Sequence, residues 1–379
     1  LGDVYKRQSK YRSVTKELKQ IKRQNPLKLK LPPYYPDTPI VREDWKRNYE
    51  LITAMDEWVG EHLRALKASG EADNTIVFFF SDHGVGLPRA KRWLYDSGTH
   101  IPLIVRIPNF FRASTQGVPG TLDQQLVSSI DLAPTVLKLA GIDVPDYMQG
   151  RAFLGKQLKV NREYVFGARD RMDERYDIIR MVRDKRFRYI RNYEPLKPYY
   201  QYMNTPEKGA TMKEIRRSEK SDNLPSAARF FSAKKKPIEE LYDLKSDPHE
   251  ICNLSNDPNY IQQLKKMRQA HYKWVRETRD IGLIPEPEIV KRESLYGSRY
   301  EILRQKDSPD MIVRLGETAA LASSGKDALP LLLIATRDAD AAVRYWGVIG
   351  IGNIAPKKSF NALSVTRKLL RDSSPSVRV

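Results

Sequence analysis

The chain has a single cysteine, Cys252, so it can form no disulfide within itself, and its neighbours Ile251 and Asn253 build no metal or redox motif around it. That thiol is expected to be inert. No apolar run is long enough to cross a bilayer. No zinc-finger or RNA-recognition motif is present and the basic residues are dispersed, which argues against a nucleic-acid partner. An initiator methionine and a signal peptide are also missing, since the sequence opens Leu1-Gly-Asp-Val-Tyr. It stops at Ser376-Val-Arg-Val379, inside a pattern described below, so a piece cut at both ends is expected, any export signal being lost with the front. Acidic residues are scarce beside basic ones, 47 against 66, leaving a formal net charge of +19. That excess fits a polyanionic partner (nucleic acid, anionic lipid, or a sulfated or phosphorylated glycan) or simply solubility. What is present is 40% hydrophobic residues over 379 positions, enough to bury a sizeable core in two or three domains.

Residues 1 to about 38 are polar and basic, with Pro26, Pro32, Pro33, Pro36 and Pro39 gathered at the end, which predicts an extended, solvated connector. From Arg42 to Lys67 apolar residues recur every three or four positions (Trp45, Tyr49, Ile52, Met55, Trp58, Val59, Leu63, Leu66), so a helix is expected, ended by Ser69-Gly70. Ile76-Val-Phe-Phe-Phe80 is apolar on both sides, as in a parallel strand covered by helices, and Ile101 to Ile107 reads as a second strand. Ser129 to Gly141 reads as a capped helix. Strands are predicted at Tyr164 to Gly167, Ile178 to Arg183, Phe187 to Ile190 and Glu240 to Leu244. Asp184-Lys185 makes the hairpin turn between the middle two. Residues 194 to 236 read as an irregular excursion in which Lys234-Lys-Lys236 is a solvated loop. Ser246 to Leu254 reads as a turn and Asn259 to Arg279 as an amphipathic helix. After about 300, Val313-Arg314, Val343-Arg344 and Val377-Arg378 each follow an Asp-containing turn, roughly every 30 to 34 residues, with Ala/Leu/Gly-rich helical segments between. That period resembles HEAT repeats, stacked helix pairs of an α-solenoid.

The stretch that carries chemistry is Ser81-Asp-His-Gly84. Two adjacent side chains at a strand end can turn towards one cation, a carboxylate plus an imidazole makes half a shell for a divalent metal, and Gly84 allows the sharp exit. The alternative is a capped turn with a hydrogen-bonded Asp82. Lys91 follows in a loop between two buried strands, where it would neutralise an anionic substrate oxygen as a point charge or remain a solvated lysine. Tyr95, Asp96 and Gly98 look like loop scaffolding. His100 abuts the second strand and reads first as structural, second as catalytic.

Taken in order, Met55-Asp-Glu-Trp-Val-Gly60, Asp73-Asn-Thr-Ile-Val-Phe, Ser81-Asp-His-Gly84, Ala90-Lys-Arg-Trp-Leu-Tyr, Thr99-His-Ile-Pro-Leu-Ile-Val, Asp131-Leu-Ala-Pro-Thr, Gln149-Gly-Arg and Glu240-Leu-Tyr-Asp-Leu-Lys-Ser-Asp-Pro resemble the carboxyl-terminal two-thirds of a type I sulfatase of the alkaline-phosphatase superfamily. Arg169-Asp-Arg-Met-Asp-Glu-Arg and Lys273-Trp-Val-Arg-Glu-Thr-Arg look most like heparan N-sulfatase (sulfoglucosamine sulfohydrolase) relatives. The resemblance, which runs from about Pro32 to Arg279, implies an incomplete α/β sandwich over 1–155 and an α+β subdomain over 156–295; the repeats after them predict a truncated all-α HEAT-like solenoid over 300–379. It implies that Asp82 and His83 are metal ligands, that the metal is Ca²⁺, and that Lys91 contacts the sulfate. The family's nucleophile is a formylglycine made from Cys or Ser in a C-x-P-x-R motif. Neither that motif nor the family's amino-terminal acidic pair occurs here, so the chain alone is expected to be inactive. The function implied is hydrolysis of a sulfuric ester or sulfamate on sulfated carbohydrate, in the periplasm or outside the cell, with a protein partner for the solenoid. The alternatives are a phosphodiesterase or phosphonate hydrolase of the same superfamily, and a non-catalytic binding protein whose solenoid is the working part.

Overall fold

The computed structural model describes residues 23–111, 119–156, 158, 160–354 and 360–378. The chain divides into two compact units. The first comprises Leu1–Val165, Tyr202–Ser232 and Asp247–Ile251, and the second Phe166–Gln201, Ala233–Ser246 and Cys252–Val379.

In the first unit, helix α1 (Pro39–Ala68) starts where proline's fixed φ is tolerated, at the first helical position after the N-cap Thr38. The predicted periodicity is there, but of its apolar residues only Val41, Trp45 and Ala54 are buried. Tyr49, Ile52, Met55, Trp58 and Leu63 remain exposed. The stretch read as a solvated connector is packed at its end, where Tyr34 and Tyr35 are buried and the Tyr35 hydroxyl donates to the Pro88 carbonyl. Residues 1–22 of that connector lie outside the described residues.

Strands β1 (Val77–Phe80) and β2 (Leu103–Arg106) pair antiparallel, with Val77 opposite Arg106 and Phe80 opposite Leu103. This corrects the parallel expectation. A run apolar on both faces fixes burial, not direction. A parallel return needs a crossover, and the only helix between the two strands is the four-residue turn Asp96–Thr99.

Helix α2 (Leu132–Leu139) follows a capping box in which Asp131 accepts from the Ser128 N–H at 2.8 Å. The same buried carboxylate accepts from the Arg151 N–H at 2.7 Å and from the Arg162 guanidinium. A Cβ on Gly150 would lie 2.0 Å from the Ile130 carbonyl oxygen. Asp131-Leu-Ala-Pro-Thr and Gln149-Gly-Arg are thus two sides of one structural joint.

Helix α3 (Ala210–Lys220) lies inside the stretch expected to be irregular. Met212 and Ile215 bury its apolar side, and Asp44 of α1 accepts from the Thr211 N–H at 3.0 Å and its hydroxyl at 2.8 Å. The cap comes from a residue far away in sequence, so no local signal announced this helix.

The second unit holds a four-stranded sheet in the order β3-β4-β5-β6: β3 (Val165–Met172), β4 (Arg175–Arg183), β5 (Phe187–Asn192) and β6 (Glu239–Asp243). Asp184 makes the predicted turn, its carboxylate accepting from the Arg186 and Phe187 N–H groups at 2.7 and 2.6 Å. Helix α4 (Ile261–Thr278) packs against β4 and β5 with Leu264, Met267, His271 and Val275 buried. The solvated-loop reading of Lys234-Lys-Lys236 fails at Lys236, whose side chain is buried and paired with Asp177.

Five further helices are α5 (Glu286–Tyr296), α6 (Ser308–Leu321), α7 (Leu329–Ala335), α8 (Ala341–Ile354) and α9 (Phe360–Leu369). Trp346, fully buried, donates its indole N–H to the Leu283 carbonyl at 2.7 Å. The recurring arginines make recurring contacts. Arg314 pairs with Asp338 at 3.1 Å, and Arg344 pairs with Asp372 at 2.8 Å through both nitrogens of a fork.

Candidate functional site

β1 carries the chain outward to Ser81-Asp-His-Gly84. The Ser81 hydroxyl donates to the His83 carbonyl at 2.6 Å and holds the exit turn. The Gly84 N–H donates to the Gly98 carbonyl at 2.9 Å, and the Lys91 N–H donates to the Val85 carbonyl at 2.9 Å. The loop between the strands therefore folds back on its own root. Both glycines are needed for that approach. A Cβ on Gly84 would sit 1.9 Å from the Ser97 carbonyl oxygen, and one on Gly98 would sit 2.2 Å from that of Ala90.

His83 is half-buried. Its Nδ1 lies 2.7 Å from the Gly84 carbonyl oxygen, which can only accept, so Nδ1 is the nitrogen that carries the proton. Nε2 is the nitrogen left to bind a metal through the neutral ring; it is buried without a hydrogen-bond partner and lies 3.4 Å from Asp82 Oδ1. Asp82 is exposed. A carboxylate oxygen and an imidazole nitrogen at that separation suit a cation shared between them. Among the described residues no group of three or more His, Cys, Asp or Glu converges as a metal shell; Asp82 and His83 stand here as a pair.

Lys91 is half-buried in the folded-back loop. His100 closes the short helical turn, its N–H donating to the Asp96 carbonyl at 2.8 Å. Its ring is exposed, with Nδ1 3.5 Å from Asp96 Oδ2. All four sequence-derived candidates thus share one loop and its root.

Sequence reasoning missed the residue at the centre of that loop. Arg89 is buried, at φ +63°, and its guanidinium lies 4.6 Å from the ring centre of Tyr34, 3.9 Å from that of Tyr95 and 5.1 Å from that of Phe230. It donates to the carbonyls of His249 at 2.9 Å and of Glu250. The buried Glu250 carboxylate accepts from the Asp96 N–H at 2.7 Å. The segment Ser246-Asp-Pro-His-Glu250, read from sequence only as a turn, supplies these partners. Nothing local in Leu87-Pro-Arg-Ala-Lys91 marks the arginine as buried.

Residues 6–142 match the family model described as sulfatase, and residues 89–229 match the one described as N-sulphoglucosamine sulphohydrolase, C-terminal. An ulvan-active sulfatase of Formosa agariphila is 42% identical over 265 residues, covering 70% of this chain and 44% of that protein. The N-sulphoglucosamine sulphohydrolase of Homo sapiens is 28% identical over 270 residues, covering 68% of this chain and 52% of that protein. The chain spans about half the length of these curated relatives. The phosphonate monoester hydrolase of Agrobacterium radiobacter overlays with a TM-score of 0.39 at 22% identity, covering 61% of this chain and 42% of that one.

Proposed function

We propose, on the premise that residues 6–229 carry sulfatase-family sequence, that this chain supplies half of a metal site and the sulfate-facing lysine of an enzyme that hydrolyses sulfuric esters or sulfamates on sulfated carbohydrate. The observation that carries the reading is His83 Nε2, buried, without a hydrogen-bond partner and 3.4 Å from Asp82 Oδ1. Asp82 and His83 would hold a divalent cation, Ca²⁺ by the family resemblance, which when bound supplies positive charge beside oxygens that become more negative as the S–O or S–N bond breaks. The ammonium of Lys91 does the same for a sulfuryl oxygen as a point charge on a flexible stem. His100, exposed at the loop's edge, is a weaker candidate for proton transfer to the leaving group. The nucleophile, a formylglycine by resemblance, and the remaining metal ligands are not among the residues of this chain.

The substrate class rests on the relatives, whose names specify ulvan and N-sulphoglucosamine, and on the excess of basic residues, which suits a polysulfated chain. No helix among the described residues is long and apolar enough to cross a membrane. A periplasmic or secreted location belongs to this reading through the family. So does the division into sulfatase α/β, sulfatase α+β and HEAT-like parts near 155 and 300. The Arg314–Asp338 and Arg344–Asp372 pairs support the repeat reading, because equivalent residues of successive helix pairs make equivalent bonds. The intact protein should release sulfate from ulvan oligosaccharides or N-sulfoglucosamine and leave phosphodiesters untouched. Turnover of a phosphodiester or phosphonate, with none of any sulfated sugar, would replace this reading by its phosphorus-chemistry alternative.

A further inference from the structure

From the packing around Arg89 we infer that it is a positioning residue for Lys91: it fixes the loop so that the lysine ammonium is presented in one place. This deepens the reading above and rests on Lys91 being the sulfate contact. The geometry carries it in three ways.

The backbone on either side of Lys91 is held in conformations that L-residues rarely adopt, with φ +63° at Arg89 and +80° at Arg92. Left-handed non-glycine residues persist only where the surroundings over-determine them. The surroundings here converge on the Arg89 side chain. The rings of Tyr34, Tyr95 and Phe230 enclose its guanidinium, and two backbone carbonyls of the 247–250 turn accept from its two terminal nitrogens. A planar fork between aromatic faces is a fit that lysine cannot reproduce.

The anchorage also reaches the far side of the loop. Glu250 lends its carbonyl to Arg89 and its carboxylate to the Asp96 N–H at 2.7 Å, while the Ser97 hydroxyl donates to the Arg89 carbonyl at 2.6 Å. Residues 89 and 96–97 are therefore tied to each other and to one distant turn, with Lys91 on the span between them. Glu250 is itself left-handed, at φ +54°, in a turn closed by its N–H donating to the Asp247 carbonyl at 3.1 Å. The turn is shaped to offer consecutive carbonyls to one guanidinium.

Arg89 touches no reacting atom in this account, so its effect should run entirely through Lys91. The test is a double-mutant cycle on the intact protein, with turnover of a sulfated oligosaccharide as the readout. Arg89→Ala and Lys91→Ala are each expected to lower kcat, Arg89→Ala by about 100-fold, the scale at which a displaced group loses its contribution, with a much smaller change in KM. The double variant should be no slower than Lys91→Ala alone, because a misplaced lysine and an absent one are equally useless. If the losses multiply, or if Arg89→Ala keeps wild-type turnover, the inference is overturned. If Lys91→Ala itself keeps wild-type turnover, the sulfate-contact reading has failed and this inference falls with it. Should Arg89→Ala not fold, Arg89→Lys, which keeps the charge and loses the fork, carries the same cycle. A double variant slower than Lys91→Ala overturns the inference there too.

Discussion

Lys236 donates to both carboxylate oxygens of Asp177 at 2.9 Å, and neither side chain reaches solvent. A third bond runs from the ammonium to the Lys197 carbonyl at 3.0 Å. Burial pushes the Lys236 ammonium below the ordinary lysine range, and Asp177 opposes that shift. The pair ties the loop before β6 to the start of β4. Breaking a buried pair leaves one charge uncompensated, so Lys236→Met should destabilise by about 3–5 kcal/mol. Adding Asp177→Leu should recover a large part of the loss. Urea unfolding of the two variants checks this, and a neutral Lys236→Met would mean that the pair anchors nothing.

His271 gives a pH dependence. Burial, then the positive charges of Arg191 and Arg180, hold its imidazole down to about 3 against an ordinary 6.5. The folded state thus keeps His271 neutral where the unfolded chain binds a proton. Stability from this group is fully present above pH 6.5. It is lost on acidification towards pH 3, by about 1.4 kcal/mol per pH unit within the window. His271→Asn removes the titration, so its melting temperature should fall less between pH 6.5 and 4.5 than the wild type's. Parallel pH profiles would show that His271 does not titrate on unfolding.

Gly98 tests the loop closure. An alanine there puts its Cβ 2.2 Å from the Ala90 carbonyl oxygen and 2.3 Å from that of Trp93. The loop must open, at about 1–3 kcal/mol of overpacking, and the Gly84–Gly98 bond goes with it. Gly98→Ala should lower both melting temperature and turnover of the intact protein. Gly86→Ala, in the same loop with nothing within 4 Å of the added carbon, should change neither. Equal behaviour of the two variants would contradict the account of the closure.

How far the sequence could be read follows from where each signal lies. β4, β5 and β6 and helix α4 were legible because the apolar runs of the strands, the turn at Asp184 and the periodicity of α4 are local. The four candidates Asp82, His83, Lys91 and His100 fall in one loop because a short stretch of sequence carries them all; their roles remain the proposal made above. Helix α3 was not, since only Met212 and Ile215 mark its buried side and its cap is Asp44. Arg89 was passed over and Lys236 misread for one reason. Each is a cation whose burial is compensated by partners far off in sequence, Glu250 for one and Asp177 for the other. The direction of β2 was missed because apolar composition reports burial without orientation.

The central claim is that Asp82 and His83 share one divalent cation. Equilibrium dialysis of the intact protein against calcium, wild type beside Asp82→Ala and His83→Ala, tests it most directly. The account predicts that both variants lose affinity for one equivalent of calcium by more than about tenfold, while Lys91→Ala binds it as the wild type does. Undiminished calcium binding in Asp82→Ala and His83→Ala would contradict it.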